Sequence, residues 1–231
     1  MSSLLASLLY VLAGLLLASA ASFLWIRERR SLLVSWFMAV SVSLLAWITT
    51  LYMYQYAPTP EVVLQAGRFN LAATVLAAYA TYRFTRALAQ HPKHVVDSLL
   101  GWGALLFALA SAATPWVDKA ERVGDVAGFH LSQYGWLAPV YLLYVIVLLV
   151  AAVMLAFWER KEGKVSVSVR SQLLLLGVGI PVSVGISFIT NVLIPLVWGS
   201  YRWINIGPLL VLLVMPAVVY VRVAGSSRSS R

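Results

Sequence analysis

The residue best placed to do chemistry in this chain is Arg68, a guanidinium set inside an otherwise apolar stretch. The run Val62–Thr81 reads as a membrane-spanning segment, and the cation stands about two helical turns in from its start. A charge at that depth costs roughly 2.5 kcal/mol or more if it faces lipid, so it has to face neighbouring helices or a wet cavity. Gln65 and Asn70 lie close by in sequence, and Glu61 falls on a similar helical face. Two uses are open. One is recognition of an anion or carboxylate in an outward-facing pocket. The other is an interhelical ion pair, with Asp118, Glu121 or Asp125 as acidic partners, or a side chain that snorkels to the interface.

Other groups could join such a pocket. Asn191 precedes Pro195, and Asn205 precedes Gly207-Pro208. Amides at these places either bridge helices or satisfy carbonyls freed by a proline, and they could also line the pocket around Arg68. Aromatic residues gather at the same edge, as an interfacial belt from which Tyr134 and Trp136 could wall a ligand site. Pro181 removes one backbone hydrogen bond from its helix and is a candidate hinge or a static kink. At the opposite edge, Arg83, Arg86, Arg160, Lys161 and Arg170 form a candidate signalling face for a protein partner.

Several chemistries are disfavoured. There are no cysteines, which excludes disulfides, thiolate catalysis and cysteine-ligated zinc. His91 and His94 with Asp97 resemble a metal cluster, but nearby basic residues oppose a cation, so no metal site is expected. The last apolar span has no lysine for a retinal Schiff base. No nucleophile elbow, zinc-protease motif or phosphate loop occurs, so neither enzyme activity nor a cofactor is expected.

The elements that must position these residues are apolar helices. Of 231 residues, 61% are hydrophobic and only 11% are charged, too little charge for the wet surface of a soluble domain. Seven stretches approach the roughly 20 residues that cross a bilayer: Leu4–Ile26, Leu32–Met53, Val62–Thr81, Val96–Trp116, Trp136–Phe157, Leu173–Leu193 and Ile204–Val221. Long unbroken runs favour helices over barrel strands. The fold expected is therefore all-α, a polytopic seven-transmembrane helix bundle over residues 1–223 with a flexible tail, 224–231.

Most of the 17 basic residues fall in alternate gaps, which places the N-terminus outside and the C-terminus inside. The net charge of +9 then reflects cytoplasmic loops facing anionic lipid, and no nucleic-acid partner is expected. The start lacks a basic n-region and its apolar run is long, so the first span is expected to be retained as a helix. Pro60-Glu61 reads as a helix start, and His91-Pro92 as the end of the third helix. The connection from Pro115 to Tyr134 reads as a lid over an outer cavity or as a solvated loop.

The second half carries a resemblance. Arg170-Ser171-Gln172 precedes the Leu-rich helix Leu173–Ile189; Asn191-Val192-Leu193-Ile194-Pro195-Leu196 follows, then Gly207-Pro208-Leu209 and a last helix ending in Tyr220-Val221-Arg222. With Gly128-Phe129-His130 and Tyr134 ahead of the fifth span, this resembles the N-terminal seven-helix sensor region of bacterial and archaeal membrane histidine kinases. In that family the bundle is followed by PAS, kinase or cyclase modules. None follows here, so the resemblance implies a stand-alone relative or a fragment.

The function expected is a sensory module of the cell (inner) membrane. It would bind an extracytoplasmic small molecule, or sense a membrane state, and relay it to a cytoplasmic partner such as a kinase. A second copy of the chain is a further candidate partner. The alternatives are a small transporter or channel, and a membrane assembly partner without a ligand of its own.

Overall fold

The structure, a computed structural model, describes residues 3–27, 31–57, 59–92, 94–123, 130–162, 165–189, 210 and 212–221. These form α1 (Ser3–Arg27), α2 (Leu32–Tyr56), α3 (Pro60–Leu88), α4 (Val95–Ala113), β1 (Asp118–Val123), β2 (His130–Tyr134), α5 (Ala138–Glu162) and α6 (Val167–Phe188). A final helix, α7 (Leu212–Val221), follows. Five of the helices, α2 to α6, are long and apolar enough to cross a membrane. The apolar parts described in α1 and α7, Tyr10–Ile26 and Leu212–Val221, are shorter. Length and composition thus make this a multi-pass membrane protein.

Its exterior agrees with that. On α4, Leu99, Trp102, Leu106 and Leu109 are exposed at helical spacing, whereas Ala104, Ala108 and Ser111 are buried. Large apolar groups outward and small groups inward is the pattern of helices packing in lipid, where close backbone approach replaces hydrophobic collapse. α3 follows the same rule, burying Ala66, Gly67, Ala73, Ala77 and Ala80. It is the central helix, packed on α2, α4, α5, α6 and β1. One apolar cluster joins α1, α2, α6 and α7 to α3, and a second joins α3, α4 and α5.

Local chemistry sets the ends of α3. Thr59 caps the first turn by accepting from the Val62 N–H, Pro60 takes a position that needs no donor, and Glu61 meets the positive dipole end. At the other end Gln90 adopts φ 59°, a left-handed conformation that turns the chain into His91-Pro92.

The fold is all-α as expected, with one small addition. The connection between α4 and α5 holds an antiparallel hairpin, β1 against β2, with Asp118 opposite Tyr134 and Val123 opposite His130. Gly135 then passes the strand into α5 so tightly that a Cβ would stand 2.1 Å from the Trp116 carbonyl oxygen, leaving room only for glycine.

Candidate functional site

Among the described residues, those expected to form an outer pocket make different contacts. Arg68 is half-buried, and its Nε–H donates to the backbone carbonyl of Asp118 at 3.1 Å, tying α3 to the start of the hairpin. Asn70 points to the other side, where its Nδ2 donates to the Trp47 carbonyl at 2.8 Å and to Thr50 Oγ1 at 3.2 Å. It bridges α3 to α2. Gln65 is exposed, and Tyr134 is 69% exposed. Asn191 and Asn205 lie outside the described residues.

Among the described residues, polar contacts concentrate where α3 ends and α4 begins. Four residues of α3, Tyr79, Tyr82, Arg83 and Arg86, recur at the three- and four-residue spacing that stacks side chains on one helical face. Three of them, Tyr79, Tyr82 and Arg86, meet Asp97, which is 1% exposed in the first turn of α4. Asp97 Oδ1 accepts from Arg86 Nη1 at 2.9 Å and from the Tyr82 hydroxyl at 3.0 Å. Its Oδ2 accepts from the His94 N–H at 2.9 Å, closing a capping box, and its carbonyl accepts from the Tyr79 hydroxyl at 2.9 Å. A buried carboxylate is tolerable only with such saturation, because an unpaired one costs several kcal/mol. Gly101 makes the approach feasible: a Cβ there would stand 2.6 Å from the Tyr79 hydroxyl.

A second link joins α5 to the same end. His91 Nε2 lies 2.6 Å from Oε1 of the buried Glu159. Next to Glu159, Arg160 and Lys161 are exposed, so of the expected signalling face these two are presented outward. Arg83 turns inward and is 6% exposed, and Arg86 is half-buried in the clamp. Arg170 is half-buried near the start of α6. His91, His94 and Asp97 act separately. His91 pairs with Glu159, His94 caps the Val96 N–H, and Asp97 holds Arg86.

Deeper in the bundle lies an apolar cavity of about 230 Å³, bounded by α2, α3, α5, α6 and α7. Trp47 and Ala78 line one side; Ile180, Ser183 and Val184, on either side of Pro181, line another. Pro181 stands inside α6, which runs on through it without the Pro181 N–H.

Sequence reading missed the clamp. The stripe on α3 was readable as a period, and Asp97 stood out near one end of its span. Nothing in the order of residues joined them to each other or to Glu159, which arrives from α5. No protein-family model matches the chain, and no curated protein matches it.

Proposed function

We propose that this chain is a sensory module of the cell membrane with seven spans, its N-terminus outside and its C-terminus in the cytoplasm. It takes a small apolar or amphiphilic molecule into the cavity among α2, α3, α5, α6 and α7 and passes the change to a cytoplasmic partner, such as a kinase. One observation carries the reading: the cavity abuts the helix that contains Pro181, where a missing backbone hydrogen bond makes a change of shape cheapest. An occupant pressing on Ile180, Ser183 and Val184 would move α6 against α3. Arg160 and Lys161, exposed where α5 ends, offer basic groups to a partner. The molecule must bind the two arrangements unequally for any signal to pass.

The test begins with the protein in nanodiscs, photolabelled with a phenyl-diazirine probe. Adducts are expected on α6 around residues 180–184 and should disappear in Ala78→Leu, which fills the cavity. Uniform labelling of all lipid-facing helices, unchanged by Ala78→Leu, would remove the ligand. Co-purification from native membranes then tests the output, where a stoichiometric kinase or cyclase is expected. Solute flux in liposomes without such a partner would replace sensing with transport.

A further inference from the structure

Among the described residues, the clamp contains more positive charge than its carboxylate answers. Arg83 and Arg86 line one cavity of about 160 Å³ together with Trp36, His91 and Asp97. Asp97 answers Arg86, with which it forms an ion pair. Neither the Arg86–Asp97 ion pair nor the His91–Glu159 contact includes Arg83. Its Nη1 donates to the Tyr79 hydroxyl at 3.2 Å, and its guanidinium carbon lies 4.5 Å from the Trp36 ring centroid. A ring face and a phenol attract a cation, but they do not neutralise one that is 6% exposed.

The second observation is independent of charge. Arg83 Nε, Arg86 Nε and Trp36 Nε1 are all buried, and none has a hydrogen-bond acceptor among the described residues. Three donors without acceptors, on three residues around one cavity, call for a group that only accepts. A satisfied buried donor is the rule, so a cluster of exceptions needs a cause. The planar guanidinium fork matches carboxylate and phosphate oxygens. Because Asp97 lines the same cavity, a doubly charged ion is repelled and a singly charged one is favoured. The volume is many times the roughly 15 Å³ needed to place one water, which leaves room for a four-oxygen group.

We propose that the cavity bounded by Arg83, Arg86 and Trp36 is a binding site for a singly charged phosphate oxyanion, either the phosphodiester of an anionic lipid headgroup or free dihydrogen phosphate. The site lies where α3 meets α4, beside the exposed Arg160 and Lys161, which raise the local anion concentration. It uses different residues from the apolar cavity, so it stands or falls independently of the sensory reading.

The test uses the full chain in a neutral detergent, with thermal unfolding as the readout. One arm compares inorganic phosphate at pH 6 with chloride at equal ionic strength. The other compares added dioleoyl-phosphatidylglycerol with dioleoyl-phosphatidylcholine. A rise in Tm of about 4 °C or more is expected in one arm, and the arm that responds identifies the source. Native mass spectrometry of the responding arm should show at least tenfold less retained ligand in Arg83→Gln. In Trp36→Phe, which keeps an aromatic face and deletes the N–H, retention should fall several-fold, and this variant decides the matter if Arg83→Gln does not fold. Equal Tm in both arms overturns the proposal, and so does retention unchanged by these substitutions.

Discussion

Arg68 and Arg83 are the same residue type on the same helix, about 22 Å apart along its axis, and the bundle treats them in opposite ways. Arg68, near the start of α3, is half-buried and donates to a backbone carbonyl at the foot of the hairpin. Arg83, near the end, is buried against Trp36 beside a saturated carboxylate. A partly wet guanidinium keeps much of its hydration and needs little from the protein. A dry one commits its surroundings, because every donor it carries must find an acceptor or remain a cost. The end of α3 is therefore expected to be the stiff end of the molecule, and the hairpin end the tolerant one.

Asp97→Ala should break that contrast most strongly. It removes the partner of Arg86, the acceptor for Tyr82 and half of the capping box, and should cost about 3–5 kcal/mol, read as a large fall in Tm with loss of folded yield. Asp97→Asn, which keeps the shape, should cost less than Asp97→Ala. Glu159→Gln should follow at about 1–2 kcal/mol, since it weakens a charge-assisted bond whose His91 side is partly exposed. Asn70→Ala should cost about 0.6 kcal/mol, the usual worth of an interhelical amide bond in a membrane. Arg68→Ala should cost the least, under about 0.5 kcal/mol, and leave the clamp unchanged by hydrogen exchange. If Arg68→Ala destabilised the protein more than Asp97→Ala, the assignment of stiff and tolerant ends would be reversed. Loss of a sensory response in a fully stable Arg68→Ala protein would instead restore the anion-recognition role for that residue.

Much of the scaffold was legible because it depends on local patterns. Pro60-Glu61 announces the start of α3, and the long apolar runs between charged gaps announce the helices. The hairpin was not legible. Asp118–Val123 is short, charged and unlike a typical strand, and it becomes one only by pairing with His130–Tyr134. The clamp was half legible. Tyr79, Tyr82, Arg83 and Arg86 share a face by spacing alone, yet their neighbourhood of basic residues suggested a surface for a partner. Only the approach of α4, allowed by the absence of a side chain at Gly101, turns that face inward.

The order of residues by itself determined that this chain forms apolar helices fit for a bilayer, and to within about two residues where α1 to α5 begin. Burial in lipid forces backbone hydrogen bonds to close within each segment, so the segments can be read one at a time. Which helix faces meet was decided only in three dimensions. Asp97, Glu159 and Trp36 reach the end of α3 from three other helices, and electrostatic attraction depends on distance in space, not on separation along the chain.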